Sequence, residues 1–162
     1  MKRQAGQTIL YTILLLPTLL LVMSVAVELG SVQMQQLRIR SALDMAAVSA
    51  AGVVDARYYA QTGLIRLDGT QAESVGRLFL YRNLRKLGAA VGGDAGAASI
   101  AATANFIVVN QVPARDPFTG HRLNRPSICI QADVAQDSGL MRWFGMPREI
   151  QLKLHSVAEV RR

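Results

Sequence analysis

The chain has 162 residues, of which 51% are hydrophobic, and 18 Lys and Arg against 11 Asp and Glu give a formal net charge of +7. This length allows one modest domain and one additional segment. The single cysteine, Cys129, excludes an internal disulfide and a multi-cysteine zinc site. The basic residues are scattered and form no stripe, which does not favour nucleic acid as a partner.

The first candidate element is an uncharged apolar segment from Ile9 to Val27, preceded by Lys2 and Arg3. At about 1.5 Å of helical rise per residue it spans roughly 28 Å, the thickness of one hydrocarbon core. Cleavable signals usually have a shorter apolar region, of about 7 to 15 residues. Because positively charged flanks stay in the cytoplasm, we predict a cytoplasmic leader at 1–8, a transmembrane helix at 9–27 and an external remainder.

Two features of this segment leave its processing and shape open. Ser24-Val25-Ala26 resembles a signal-peptidase site, so release of a secreted soluble binding domain remains an alternative. Pro17 removes one backbone hydrogen bond and predicts a kink, which membrane helices tolerate better than exposed soluble helices.

Residues 28–56 are predicted to continue the helix in amphipathic form. Apolar residues recur at steps of three or four, with Gln36 as the one polar member of the stripe. The stripe is Leu29, Val32, Gln36, Ile39, Leu43, Ala46 or Ala47, and Ala50. A continuous helix from Ile9 to about Val54 would be about 70 Å long. The alternative is an anchor followed by a separate helix, with a break at Gly30.

The N-terminal third of the chain resembles TadE/TadG-like proteins, the pilin-like components of tight-adherence (Flp) pilus systems. The features that match are a basic start, Gly6-Gln7, an apolar run with Pro17, Glu28-Leu29-Gly30, and Ala42-Leu43-Asp44-Met45-Ala46-Ala47. A weaker resemblance to the family's tail covers Ser127 to Val160. The residues expected to contact the membrane or pack the helix are Ile9, Leu16, Pro17, Leu20, Glu28, Gly30, Leu43, Asp44 and Ala47.

The resemblance implies a single-pass protein of the bacterial inner membrane that takes part in pilus assembly or initiation. Its expected partners are other pilin-like subunits, inner-membrane assembly proteins and the lipid bilayer, with no cofactor. In TadE-like proteins a prepilin peptidase cuts after Gly and leaves Glu at the fifth mature position. A cut between Gly6 and Gln7 would place Tyr11 there, a departure that favours the TadG-like branch. The branch, the cleavage and entry into the filament stay open.

The external domain, 57–162, is predicted to be α+β. Thr70 and Glu73 form a capping box that predicts a helix from about 71 to 87, ended by Gly88. Residues 88–99 are interpreted as a small-residue linker.

Three strands are predicted, at 103–112, 127–134 and 149–158. In the second, Ile128, Ile130, Ala132 and Val134 share one face. The expected fold is a long transmembrane and amphipathic helix, a second shorter helix and a small antiparallel sheet of about three strands, as in pilins.

Two loops are candidate partner sites. The loop 113–126 carries Arg115, Arg122 and Arg125 and is either a solvated hairpin or a docking loop. The loop 138–147 carries the large apolar residues Leu140, Trp143 and Phe144, which either fold back as core or contact a partner or the lipid surface.

The sequence contains no catalytic constellation, which favours a protein that is not an enzyme. His121 and His155 lack metal-ligand spacing, and His155 is expected to be a sheet residue. Cys129 is expected to be packed in its strand, with a reactive thiol as the alternative. A minor pilin of a DNA-uptake system is a further alternative that rests on positive charge alone.

Overall fold

The computed structural model describes residues 2–137 and 149–160. The helices are α1 (Lys2–Ala51), α2 (Ala56–Thr62), α3 (Gly69–Arg85), a short 3-10 helix (Gly88–Val91) and α4 (Gly93–Thr103). The strands are β1 (Asn105–Val109), β2 (Ala114–Arg115), β3 (Arg122–Leu123), β4 (Ser127–Asp137) and β5 (Glu149–Glu159). The predicted α+β fold with a long N-terminal helix and a three-stranded antiparallel sheet is confirmed.

Helix α1 is continuous over 50 residues, about 75 Å at the usual rise. The predicted continuity is therefore correct, and the alternative of a break at Gly30 is wrong. The helix ends at Ala51 rather than Val54, because Val54 forms an antiparallel bridge with Leu67.

The environment of α1 changes at Ile39. Within residues 11–38 no side chain is buried, whereas from Ile39 onwards one face of the helix enters the domain core. The buried members of that face are Ile39, Ala42, Leu43, Ala46, Ala47, Ala50 and Ala51. The predicted stripe thus describes the core from Ile39 onwards, while Leu29, at its start, is 58% exposed and lies outside the domain.

Helix α3 runs back along α1. The Asp68 amide, just before α3, donates to the Val53 carbonyl at 3.2 Å, and eight residues later Gly76 lies beside Ala50. A Cβ on Gly76 would stand 3.3 Å from the Ala50 Cβ and 2.6 Å from the Phe106 ring. Glycine at this position therefore lets α3 approach both α1 and β1.

The capping box predicted at Thr70 is wrong. The carboxylate of Asp68 caps α3 by accepting from the Gln71 amide at 3.1 Å, so the helix begins at Gly69. Glu73 instead accepts from the Arg77 guanidinium one turn later, with an N–O distance of 2.8 Å.

The interpretation of 88–99 as a linker is also wrong. This segment forms the 3-10 helix and most of α4, with Val91, Ala97 and Ala101 buried in the core. Alanine is the best helix former, and small side chains allow α4 to lie close to its neighbours. At Gly96 a Cβ would stand 1.8 Å from the Val91 carbonyl oxygen.

The main sheet has the strand order β1-β4-β5, all antiparallel. The predicted inward face of the central strand β4 is correct: Ile128, Ile130, Ala132 and Val134 are all buried. Cys129 points to the opposite face and is also buried, because the short β2–β3 hairpin lies over it. Helix α1 packs against β4 and β5 on the face of the sheet that carries Ile128 and Ile130.

We predict that Gly96→Ala destabilises the domain by about 1–3 kcal/mol or more, because the added methyl meets backbone that must move. Gly69→Ala is the control, since a Cβ there has nothing within 4 Å, and it should be neutral or slightly stabilising. Denaturant unfolding in detergent, followed by circular dichroism, measures both. Equal stability of the two variants would contradict the packing of α4 against the 3-10 helix.

Candidate functional site

The part of α1 outside the domain, residues 11–38, is called the projecting segment here. Its large apolar side chains are exposed on every side, including Leu16 and Leu20. Exposed apolar surface of this extent marks a site of lipid or protein contact. Among the described residues, one helix, Tyr11–Ala51, is long and apolar enough to cross a membrane, with a mean hydropathy of 2.2 in its most apolar part.

Pro17 lies within the projecting segment, in unbroken helix. Its ring nitrogen cannot donate the hydrogen bond that an ordinary residue would give to the preceding turn. The neighbouring Thr18 hydroxyl donates to the Leu14 carbonyl at 2.9 Å, so the backbone around Pro17 retains a side-chain hydrogen bond.

The residues predicted to pack the helix fall into two groups. Leu16, Pro17, Leu20, Glu28 and Gly30 lie on the projecting segment, and no atom lies within 4 Å of a Cβ built on Gly30. The second group, Leu43, Asp44 and Ala47, lies in the domain, where Leu43 and Ala47 are fully buried. Gly6, Gln7 and Ile9 lie on the first turns of α1.

Asp44 joins α1 to the edge strand of the sheet. Its carboxylate accepts a hydrogen bond from the Ser156 hydroxyl of β5 at 2.6 Å, and Ser156 is buried. This contact fixes the sheet against the helix at the level where α1 enters the core.

The loop 113–126 is a two-stranded hairpin. Arg115 on β2 and Arg122 on β3 are direct cross-strand partners, and Arg125 follows β3. All three side chains are exposed. The structure therefore brings the three predicted arginines together, although like charges directly opposite one another destabilise a strand pair.

Asp116 holds the hairpin tip in place. Only 2% exposed, its carboxylate accepts from the Thr119 hydroxyl, from the Phe118 amide at 3.0 Å and from the Cys129 thiol. Burial by itself raises the pKa of Asp116, but these three hydrogen bonds, with the nearby His155, outweigh burial and hold the pKa below its usual 3.8. Burial, with the adjacent Asp116 charge, raises the pKa of the Cys129 thiol to about 12.

A polar cleft of about 280 Å³ lies between α1, the hairpin tip and β5. It is lined by Arg40, Asp44, Asp116, Thr119, His121, Leu123, His155, Ser156 and Val157. The sequence places the two histidines far apart, and the fold brings both to this cleft. The turn-forming pattern Asp116-Pro117-Phe118-Thr119 indicates an ordered hairpin tip in the sequence. No local sequence pattern indicates that this tip lies near β5.

The Ser156 hydroxyl in this cleft donates its hydrogen bond to the Asp44 carboxylate, which differs from the serine–histidine pair of serine hydrolases. Within 2–137 and 149–160, no group of three or more His, Cys, Asp or Glu side chains could hold a metal ion.

The predicted loop residues Leu140, Trp143 and Phe144 lie outside the described residues. In the sequence they fall between the end of β4 at Asp137 and the start of β5 at Glu149.

The fold and the projecting segment define a small α+β domain built directly onto the end of a long apolar helix. Residues 6–55 match a family model described as "Putative Flp pilus-assembly TadE/G-like". The match covers α1 from Gly6 onwards and the turn that follows it, and it confirms the resemblance to TadE/TadG-like proteins of the Tad system. That family is a pilus-assembly family and not an enzyme family. Neither a curated protein nor a solved structure matches the chain.

We predict that Asp116→Asn lowers the free energy of unfolding at pH 7 by about 1.5–3 kcal/mol, because hydrogen bonds to an ionised acceptor are replaced by weaker ones. The folded-state pKa of Asp116 is lowered, so its stabilisation is present above pH 3.8 and is lost as pH falls through the lowered pKa. Denaturant unfolding at pH 7 and at about pH 3 should therefore give a smaller difference between wild type and variant in acid. The exposed Asp133→Asn is the control, and an equal effect of both variants would contradict the role of Asp116.

Proposed function

We propose that this protein is a single-pass inner-membrane component that takes part in the assembly or initiation of a Tad (Flp-type) pilus. The family match over residues 6–55 and the exposed apolar surface of the projecting segment support this proposal. The N-terminus with Lys2 and Arg3 would lie in the cytoplasm, since basic flanks are retained there. The domain would stand outside, in the periplasm.

The observation that carries the proposal is that one helix supplies both the apolar projection and the core of the domain. No linker separates the two parts. If the lipid ends near Val27, then Ile39 lies about 18 Å farther along α1. The domain would therefore be held at a set height above the bilayer and could turn only together with the helix. Such a fixed position would suit a protein that positions other subunits at the membrane.

We propose the following division of the chain, which is compatible with this geometry. Residues 1–8 form the leader, 9–27 the transmembrane part, 28–56 the helical continuation and 57–162 the external domain. The last turns of α1 pack into the external domain, where Leu43, Ala46 and Ala47 are fully buried. The core of the domain is thus incomplete without α1.

The exposed apolar side chains of the projecting segment argue against the alternative of a secreted domain released near Ala26. Cleavage there would leave Val27, Leu29 and Leu37 in water, with exposed fractions of 72%, 58% and 63%. Several large apolar side chains so exposed on one helix are less expected in a soluble domain than beside lipid or a partner.

The arginine hairpin is the proposed docking site for an acidic segment of a partner pilus protein. The cross-strand pair Arg115 and Arg122 places two like charges opposite each other, and an acidic partner would relieve their repulsion. Leu140, Trp143 and Phe144 remain a second proposed contact, with a partner or with the lipid surface.

The first experiment is the intact mass and N-terminal sequence of the protein recovered from carbonate-washed membranes. A start at Met1 would support a permanent anchor, and a start at Gln7 would support prepilin-type processing despite Tyr11 at the fifth position. A protein that starts at Val27 in the soluble fraction would overturn the proposal.

A matched pair of variants tests the anchor. Leu20→Arg should reduce membrane insertion, since Arg near the centre of a spanning helix costs about 2.5–3.5 kcal/mol. Gln33→Arg, on the same helix beyond the proposed span, should insert normally. Equal amounts of both variants in the membrane fraction would argue against a span at 9–27.

A second pair tests the hairpin. Arg115→Ala with Arg122→Ala should reduce surface pili while raising domain stability by roughly 0.2–1 kcal/mol, because a like-charge pair is removed. Arg57→Ala, on the exposed side of α2, is the control. Normal piliation in the double variant would contradict a docking role for the hairpin.

A further inference from the structure

Helix α1 carries a second apolar face, opposite the one that forms the core. Outside the proposed span, this outer stripe consists of Met34, Leu37, Ser41, Met45 and Val48, spaced at steps of three or four. At about 100° per residue these positions fall within roughly 40° of a common line, which lies on the opposite side of the helix from Ile39, Leu43 and Ala50. The four large side chains are 53%, 63%, 59% and 66% exposed.

The outer stripe continues the apolar surface of the projecting segment without interruption. One and two turns before Met34, the same line contains Gly30 and Val27, neither of which is charged. Apart from Ser41, which is uncharged, the polar residues of this region, among them Gln33, Gln36 and Arg40, lie off the line. A helix that only had to leave the membrane and enter its own domain would need no apolar residues on this side.

The charges beside the outer stripe are of opposite sign. Arg38 and Asp44 each lie about 60° from its centre line, on opposite sides. When two such helices pack side by side in parallel, the flank with Arg38 on one faces the flank with Asp44 on the other, as opposite flanking charges do in parallel coiled coils. The stripe itself contains no charge that would meet its own copy.

We propose that the outer stripe binds α1 of a second copy of this chain in a parallel helix pair. This inference rests on the proposed membrane anchor, because a shared membrane gives all copies the same direction and the same height. Each stripe residue then meets the same residue of the second copy across a two-fold axis along the membrane normal. Met34 and Met45 suit such a contact, since their flexible side chains fill irregular gaps.

The domain leaves this contact accessible. The core face of α1 packs against α3, β4 and β5, and Asp44 is tied to Ser156 of β5 on the neighbouring side. Two copies could therefore join along Met34 to Val48, about 21 Å of helix, while each domain stays on the far side of its own α1.

Cysteine cross-linking in native membranes tests the inference on the full chain. Cys129 is buried and its pKa is raised to about 12, so the native thiol gives a silent background. Single cysteines are placed on the outer stripe by Met34→Cys, Ser41→Cys and Val48→Cys. The controls are Gln33→Cys and Arg40→Cys, which are also exposed but lie off the stripe.

A mild oxidant should convert the stripe variants to a product of twice the 17.6 kDa monomer mass. Because a disulfide requires Cα atoms within about 7 Å, we expect at least about fivefold more dimer from stripe positions than from the controls. Equal yields at all five positions, or no dimer, would overturn the inference. A cross-linked product that contains a different protein would also overturn it, since the occupant would not be a second copy.

Fractionation, piliation and cross-linking of the same cells distinguish failure of the helix pair from failure of the proposed function. If the protein is in the membrane and pili depend on it, but the stripe gives no preferential cross-link, the helix pair is wrong and the proposed function stands. If the protein is soluble, both are wrong. As an independent variant, Leu37→Asp should reduce the yield of the Val48→Cys dimer at least about fivefold, because it places like charges together in the pair. The control Gln33→Asp should leave that yield unchanged.

Discussion

The burial of one face of α1 in the domain is the interaction on which the rest of the structure depends. Ala46, Ala47 and Ala50 are small enough for α3 to lie close to α1, and Gly76 removes the side chain that would hold the two helices apart. The sheet then closes the core from the other side through Ile128 and Ile130. Because these contacts involve the last turns of an unbroken helix, the position of the domain follows from the position of α1.

Small residues have a similar part elsewhere in the domain. Gly96 allows α4 to contact the 3-10 helix at Val91, and Ala97 and Ala101 bury the next turns. The polar contacts are fewer and more specific. Asp116 organises the hairpin tip through three donors, and Asp44 ties α1 to β5. Asp116 and Asp44 both line the cleft, and the hydrogen bond between Asp116 and Cys129 holds the hairpin tip against the sheet.

A helix that is apolar on every side, then apolar on two opposite faces, and finally buried on one of them fits a protein that connects a membrane to an assembly. The inner face forms the core, and the proposals above assign the first part to lipid and the outer stripe and the arginine hairpin to partners.

The sequence by itself determined the elements whose signal is local and repetitive. An uncharged run, a stripe at helical spacing and the alternation of Ile128 to Val134 were enough to predict α1, its inner face and the central strand correctly. Tertiary structure decided the rest. Whether Ala97 lies in a linker or a helix depends on what packs beside it, and Asp68 and Thr70 are both good caps until the position of the preceding chain selects one. The meeting of His121, His155 and Asp44 at one cleft depends on how distant segments pack, which no local pattern records.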